Sequence, residues 1–322
     1  MLENDLVNFR NVPIEVKRSG INQRQLNYLF NNWQKYLMLA LPIILIFIFS
    51  YCPMYGILVA FQKYNIMKGI WGSEWIGLEN FRYAFTLPRF WHVVVNTLRI
   101  SLLSLIFGFP MPIILAILIN EMRNARIVKC IQTFSYLPHF LSAAIVGGIV
   151  YNLCAPDTGI FNQLLALTGQ DNAPFLTDNN WWIATYVVSD IWQGMGWGSI
   201  IYIAAIANIN HEMFEASIVD GCNRLQRILH IILPSILPTI ILMLILSMGG
   251  IISVGFDKPY VFGNPIVSDV SEVISIFVYN VGLGQNNYEL ATVVGLFQSL
   301  VGAAMVLTVN AIAKAIGEEG LW

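Results

Sequence analysis

The chain has 322 residues, of which 57 % are hydrophobic and 11 % are charged. A soluble globular domain carries about 25 % charged residues, so this composition excludes an ordinary soluble domain and a disordered chain. The formal net charge of −2 gives no basic field that would attract a nucleic acid. The composition instead predicts a protein that lies in a membrane.

Charged residues are so far apart that six charge-free runs are each long enough to cross a bilayer. A spanning helix needs about 20 mostly apolar residues. The alternation typical of a transmembrane β-barrel is missing. We therefore predict an all-α membrane protein with six transmembrane helices. The predicted spans are 36–60, 93–119, 130–153, 182–207, 231–253 and 290–313.

Basic residues are distributed unequally between the two sides of these spans. Most of them lie on the side of the two termini, and positive residues favour the cytoplasmic side. We expect residues 1–35 to form a cytoplasmic N-terminal tail rather than a signal peptide, because the first apolar run is too long and too late. The six-span membrane domain then covers 36–316, and 317–322 form a cytoplasmic C-terminal tail.

Motifs for catalysis and for metal or phosphate binding are absent from the sequence. No lysine is followed by Ser or Thr, which excludes the Gly-Lys-Ser/Thr of a phosphate-binding loop. The four cysteines form no C-x-x-C pair. Gly194, Gly196 and Gly198 lie inside an apolar run without a preceding strand, and they predict close helix packing instead. We expect no catalytic residue, metal site or cofactor site in this chain.

The loop between the fourth and fifth predicted spans, residues 208–230, is unusual. Phe214, Ser217 and Ile218 share one face at helical spacing, although the loop should face water. Gly221 permits a turn, because glycine adopts positive φ freely. The pattern predicts a short helix, a bend, and a second helix that enters the membrane.

Such an exposed amphipathic hairpin has two possible roles. It needs a partner groove, or it rests on the lipid headgroups. The acidic side chains of Glu215 and Asp220 favour the partner, because they are repelled by an anionic inner leaflet.

The hairpin resembles the E-A-A-x₃-G-x₉-I-x-L-P motif of permease subunits of bacterial ABC importers. The residues that match at the family spacing are Glu215, Ala216, Gly221, Ile231, Leu233 and Pro234, and Ser217 replaces the second alanine. Other segments resemble the oligosaccharide branch of these permeases, namely Gly77–Phe81, Asn96–Leu98, Tyr136–Phe140 and Gly317–Trp322.

The resemblance covers nearly the whole chain and implies a type I importer permease fold in a bacterial cytoplasmic membrane. It implies a second related permease, two cytoplasmic ATPase subunits that bind ATP and Mg²⁺, and an external solute-binding protein that delivers a carbohydrate. The E-A-A loop would dock on the ATPase and couple its closure to transport. The coupling residues implied are Glu215, Ala216, Ser217, Asp220, Gly221 and Arg224.

Polar residues inside the spans are candidates for the substrate passage, because facing lipid is costly for them. Asp190, Gln193 and Trp197 share one face of the fourth predicted span. The further candidates are Trp192, Tyr151, Asn152 and His139. The alternative for the tryptophans is packing between helices.

Two other functions stay open at this point. One is a permease of an ABC importer for a solute that is not a sugar. The other is a proton-coupled secondary sugar carrier, in which Asp190 would be the proton site. A secondary carrier would leave the acidic hairpin without a partner.

Overall fold

The computed structural model describes residues 31–315. The predicted C-terminal tail 317–322, and the N-terminal tail up to residue 30, lie outside the described residues. Contacts divide the chain into two units, residues 1–56 and 57–322. In the first unit helix α1 (Trp33–Ile46) is followed by a π-helical turn, Phe47–Tyr51, and a 3₁₀ segment, Cys52–Phe61, leads into the second unit.

Among residues 57–315, the second unit is mainly helical and contains one short pair of strands. Strands β1 (Gln62–Lys63) and β2 (Glu74–Trp75) pair antiparallel, with Gln62 opposite Trp75, so the chain is not strictly all-α. The helices that precede the predicted hairpin are α2 (Gly69–Gly72), α3 (Glu79–Thr86), α4 (Pro88–Leu103), α5 (Pro110–Asn120), α6 (Ala125–Tyr136), α7 (Ala143–Cys154), α8 (Ile160–Leu167) and α9 (Asn179–Ala207). The helices that follow are α10 (His211–Val219), α11 (Arg224–Arg227), α12 (Leu233–Gly249), α13 (Asp257–Phe262), α14 (Ser268–Ser271), α15 (Ile274–Tyr279) and α16 (Tyr288–Ala315). Further π or 3₁₀ turns are Ser104–Gly108, Leu137–Phe140, Ile228–Ile232, Pro265–Val267 and Asn280–Gly284.

Four helical stretches among the described residues are long and apolar enough to cross a membrane. They agree with the predicted spans 1, 2, 5 and 6, and they are Trp33–Phe61, Pro88–Asn120, Arg224–Gly249 and Tyr288–Ala315. Two bent helix pairs raise the number of candidate spans to six if each pair counts as one span. The prediction of a helical membrane protein is therefore confirmed. The structure supports four to six candidate spans and does not fix the number at six.

The predicted third span, 130–153, is not one straight helix. Ala125–Phe140 and Ala143–Cys154 meet at a bend of 108°. Pro138 lies in a 3₁₀ turn, Leu141 is extended, and Ser142 caps the next helix by accepting a hydrogen bond from the backbone N–H of Ile145. Because an extended residue interrupts the helical hydrogen bonds, the chain changes direction here.

Residues 254–288, predicted to be irregular, contain a second bent pair. Pro265–Ser271 and Ile274–Gly284 meet at 112°. Two buried side chains of α4 hold the bend. Asn96 donates to the carbonyls of Asp269 and Glu272, and the hydroxyl of Thr97 accepts from the N–H of Ile274 at 2.9 Å. The bend is thus stabilised by side chains that replace the missing helical partners.

Helix α9 covers the predicted fourth span and is 29 residues long, but it is not one of the four stretches that qualify as candidate spans by length and hydropathy. It packs closely against its neighbours in the second unit. The fully buried indole of Trp182 donates to the carbonyl of Phe262 at 2.9 Å. Of the three glycines predicted to allow close packing, Gly196 lies directly against the backbone of Ser135, Gly198 lies near Pro112, and Gly194 has open space around it.

These contacts predict that two glycine-to-leucine substitutions in α9 lower the free energy of unfolding by different amounts. We expect Gly196→Leu to lower the free energy of unfolding by about 1–3 kcal/mol, because its Cβ would overlap the Ser135 carbonyl and force the helices apart. Gly194→Leu is the matched control, since no atom lies within 4 Å of its Cβ position. Thermal unfolding of both variants in one detergent tests this, and equal losses would contradict the packing role of Gly196.

Candidate functional sites

The segment predicted as a hairpin is a hairpin of two helices joined at a glycine. Helix α10 begins after Asn210, whose side chain accepts from the N–H of Glu212. It ends at Gly221, which has a φ of +74°. The N–H of Cys222 bonds the carbonyl of Ser217, and the N–H of Gly221 bonds that of Ile218. These two bonds form a Schellman motif, which requires the left-handed backbone that glycine adopts without strain.

The second helix of the hairpin begins at a complete capping box. The side chain of Asn223 accepts from the N–H of Gln226, and the Gln226 side chain accepts from the N–H of Asn223. Helix α11 then continues without a break into the apolar stretch that ends at Gly249. Both predicted halves of the hairpin and the predicted bend are present.

The faces of α10 differ in part from the prediction. Ser217 is buried and donates its hydroxyl to the carbonyl of Phe214, which packs on the buried cluster around Ile232. Ile218 does not share this inward face, because its side chain is 61 % exposed, and Val219 is 87 % exposed. The hairpin therefore presents apolar side chains outward as well as inward.

The predicted coupling residues lie on both sides of the bend. Glu215 is exposed and lies 3.8 Å from the imidazole of His211, one helical turn earlier. Arg224 lies on the second helix and approaches Glu121 at 3.9 Å, as does Arg227. Glu121 ends α5, so these ion pairs connect the hairpin to another candidate span. Sequence reasoning missed Glu121, although it is the first acidic residue after the second predicted span.

Three of the predicted passage residues, Gln193, Trp197 and His139, have contacts outside their own helices. Gln193 donates its amide to the carbonyl of Leu141, where the chain bends between α6 and α7. Trp197 stacks on His139, with ring centroids 4.7 Å apart and planes 1° apart. These three predicted residues thus contact other parts of the protein, which favours the packing alternative for Trp197.

Three further candidates are Trp192, Tyr151 and Asn152. Trp192 lines an apolar cavity of about 390 Å³ with residues such as Phe175. Tyr151 is exposed, and Asn152 donates to the carbonyl of Gly148 in its own helix. Helical spacing grouped only Asp190, Gln193 and Trp197, and the contacts of these three residues differ.

Asp190 lines a polar cavity of about 370 Å³. Its Oδ1 accepts a bond of 2.8 Å from Nζ of Lys258, which also lies 5.8 Å from the ring of Tyr186. Serine hydroxyls from three segments line the same cavity, and they are Ser101, Ser104, Ser247 and Ser253. Sequence reasoning missed Lys258 and these serines, because a hydroxyl in an apolar run gives little signal on its own.

The cavity combines groups that can bind the hydroxyl groups of a solute. A carboxylate accepts hydrogen bonds, and serine hydroxyls both donate and accept them. Apolar side chains such as Ile100 and Phe109 supply the remaining wall. Within residues 31–315, no three His, Cys, Asp or Glu side chains are grouped so that they could hold a metal ion.

The different exposure of Asp190 and Lys258 predicts that removing one side chain of the pair destabilises the protein more than removing the other. The side chain of Lys258 is 12 % exposed and that of Asp190 is 46 % exposed. Asp190→Ala would leave an almost buried ammonium without its partner, so we expect a loss of about 1–3 kcal/mol in unfolding free energy. Lys258→Met should cost less, because water still reaches the carboxylate. Thermal unfolding of both variants and the double variant tests this, and a larger loss for Lys258→Met would refute it.

Comparisons with known proteins agree with these features. Residues 108–318 match the family described as binding-protein-dependent transport system inner membrane component. Protein LplB of Bacillus subtilis (strain 168) is 42 % identical over 288 residues, which is 89 % of this chain and 90 % of that protein. The polygalacturonan/rhamnogalacturonan transport system permease protein YteP of the same organism is 40 % identical over 287 residues, 89 % of each chain.

Two solved structures are similar over most of the chain. One is a bacterial ABC transporter involved in the import of the acidic polysaccharide alginate, with 39 % identity, a TM-score of 0.83, and coverage of 91 % of this chain and 99 % of that one. The other is a bacterial alginate ABC transporter in complex with an alginate pentasaccharide-bound periplasmic protein, with 38 % identity, a TM-score of 0.84, and coverage of 92 % and 100 %. This chain is therefore a member of the family of binding-protein-dependent transport system inner membrane components, and it has the ABC importer permease fold.

Proposed function

We propose that this chain is the membrane permease of an ATP-driven importer that takes up an oligosaccharide or a polysaccharide fragment. The observation that carries the proposal is the similarity, over about nine tenths of the chain, to permeases of polygalacturonan/rhamnogalacturonan and alginate transport. The polar cavity at Asp190 supports it, because its carboxylate and hydroxyls suit a solute rich in hydroxyl groups.

The partners proposed are a second permease, two ATPase subunits and an external binding protein. The sequence contains no phosphate-binding loop, so the ATP and Mg²⁺ would be held by the ATPase subunits. Both termini and the hairpin would lie in the cytoplasm, with six spans in the bacterial cytoplasmic membrane. The second permease would be a related but different chain.

The hairpin of α10 and α11 is the proposed contact with an ATPase subunit. Its outward apolar side chains, Ile218 and Val219, would fill a groove in that partner, and Glu215 and Asp220 would meet its polar rim. Glu121 would hold the hairpin to the end of α5 through Arg224, so that a displacement of the hairpin moves the attached helices.

The proposed mechanism is alternating access by rigid-body motion. Closure of the ATPase dimer would push on the hairpin, and the two permeases would rock between inward- and outward-facing arrangements. The solute would pass from the binding protein into the cavity at Asp190. A helix transmits such a displacement because its backbone hydrogen bonds make it stiff along its axis.

Gly221 tests the role of the hairpin. We expect Gly221→Val to reduce the transport obtained per ATP hydrolysed, because a left-handed backbone costs a β-branched residue about 1–2 kcal/mol or more and the bend would change. Gly221→Asn is the matched control, since asparagine tolerates this backbone and open space surrounds the site. Transport and ATP hydrolysis are measured together in vesicles, and normal coupling in the valine variant would contradict the proposal.

The carbohydrate assignment has its own test. The complete complex, reconstituted with its ATPase and binding protein, should hydrolyse ATP faster when the binding protein carries a glycan. A panel of neutral oligosaccharides and oligouronates is compared with amino acids and with glycerol 3-phosphate. Stimulation by one of the latter alone would favour the alternative of a solute that is not a sugar, and transport driven by a proton gradient without ATP would favour a secondary carrier.

A further inference from the structure

Three aromatic rings cluster beyond the end of α12 that is remote from the hairpin. Phe256 lies 4.9 Å from the ring of Tyr260 and 4.9 Å from that of Tyr279, and the two tyrosine rings are 5.8 Å apart. The cluster joins α13 to α15. We call these three residues the aromatic platform.

The tyrosines of the aromatic platform are open to the outside. Tyr260 is 54 % exposed and Tyr279 is 40 % exposed. Neither hydroxyl has a hydrogen-bond partner in the part of the chain that the structure describes. Tyrosines that only fill a core usually bury their rings and pair their hydroxyls, so packing alone does not account for this arrangement.

A large cavity lies beside the aromatic platform. Its volume is about 850 Å³ and Tyr260 forms part of its wall. This volume is within the range of about 300–1,000 Å³ typical of small-molecule sites. The polar side chains in the wall include Arg89, His92, Asn264, Asp269, Glu272 and Asn280.

The wall contains the ion pair of Arg89 with Glu272, and the carboxylate of Asp269 has no ion-pair partner among the described residues. Arg89 binds Glu272 through two hydrogen bonds of 3.0 Å and 2.5 Å, and its guanidinium also lies 5.4 Å from the ring of Phe277. The amide of Asn280 and the hydroxyl of Tyr260 can both bind a neutral polar group. An aromatic face beside neutral donors and acceptors matches the chemistry of a sugar ring, which has apolar C–H faces and a rim of hydroxyls.

The aromatic platform is also connected along the chain to the cavity at Asp190. Ser253 and Gly255 line that smaller cavity, Phe256 follows directly, and Lys258 reaches back to Asp190. Tyr260 then lies at the larger cavity. The bend of the hairpin at Gly221 is separated from this region by the 26-residue stretch Arg224–Gly249, which is about 39 Å long at 1.5 Å per residue.

We propose that Phe256, Tyr260 and Tyr279 form a stacking site for one pyranose ring of the transported glycan, between the larger cavity and the cavity at Asp190. The site rests on the proposed carbohydrate function and adds a specific place of contact. Ring stacking on Tyr260 and Tyr279 would align the chain of the glycan before its hydroxyls reach Asp190. The competing role is that of an aromatic belt, which anchors a protein at the membrane surface. Such a belt would not require the larger cavity with its polar side chains.

The first experiment measures contact directly on the purified complete complex, without ATP. Saturation-transfer NMR detects transfer from protein protons to the C–H protons of a bound sugar. The probes are xylopentaose and other neutral pentasaccharides, with pentagalacturonate for comparison. We expect transfer to the ring C–H protons in the wild type, and a reduction of about twofold to tenfold in affinity in Tyr260→Leu and Tyr279→Leu.

Matched variants distinguish the contribution of the ring to sugar binding from that of the hydroxyl, and from the effect of removing any exposed tyrosine. Tyr260→Phe keeps the ring but removes the hydroxyl, so it should lose less affinity than Tyr260→Leu. Tyr83→Leu removes a tyrosine of similar exposure, 56 %, from a different helix and should leave binding unchanged. Size-exclusion profiles and thermal unfolding show which variants are folded. If Tyr260→Leu does not fold, Tyr279→Leu alone tests whether a ring of the aromatic platform contributes to sugar binding.

The results distinguish this inference from the proposed function. Normal affinity and normal transport in both folded leucine variants would overturn the stacking site while leaving the carbohydrate function intact. Reduced membrane insertion, with unchanged sugar affinity in the fraction that is inserted and folded, would assign the rings to a membrane anchor instead. If no pentasaccharide in the panel gives any transfer in the wild type, the stacking site is refuted. Absence of glycan-stimulated ATP hydrolysis in the wild type would refute the proposed function itself.

Discussion

The backbone of a chain in a membrane has to satisfy its hydrogen bonds within the protein, because the hydrocarbon offers no water. Wherever a helix breaks, other groups of the protein must take the place of the missing backbone partners. At the bend before Ile274 this is done by the buried side chains of Asn96 and Thr97. Ser142 caps the helix that follows the other bend, and the indole of Trp182 satisfies the carbonyl of Phe262.

These bends allow the protein to place polar groups where a straight bundle would not. The bent pair at residues 265–284 carries Tyr279, and the segment before it carries Lys258 and Tyr260. Lys258 then reaches Asp190 in the long helix α9. The side chains that support the bend at Ile274 are close in sequence to the cavity at Asp190, because Asn96 and Thr97 are followed in the same helix by Ile100 and Ser101 of its wall.

The conformation of the hairpin is determined almost entirely by hydrogen bonds between residues that are close in sequence. Asn210, Gly221 and Asn223 start, end and restart its helices through bonds within a few residues. Local turn chemistry of this kind can be read from the order of residues, and the predicted helix, bend and second helix agree with the structure. Its connection to α5 through Glu121 spans about a hundred residues and could not be read in the same way.

By itself, the sequence determined the membrane class, four of the predicted spans, and the bent hairpin with its family motif, since apolar run length and capping residues act locally. It also singled out Asp190, whose charge in an apolar run is costly unless it has a partner. Only the tertiary structure decided that Lys258 is that partner, that Gln193 and Trp197 contact other segments, and that the third predicted span is bent. These features depend on which helices meet in space, and helical periodicity specifies the face of a residue but not the neighbour opposite that face.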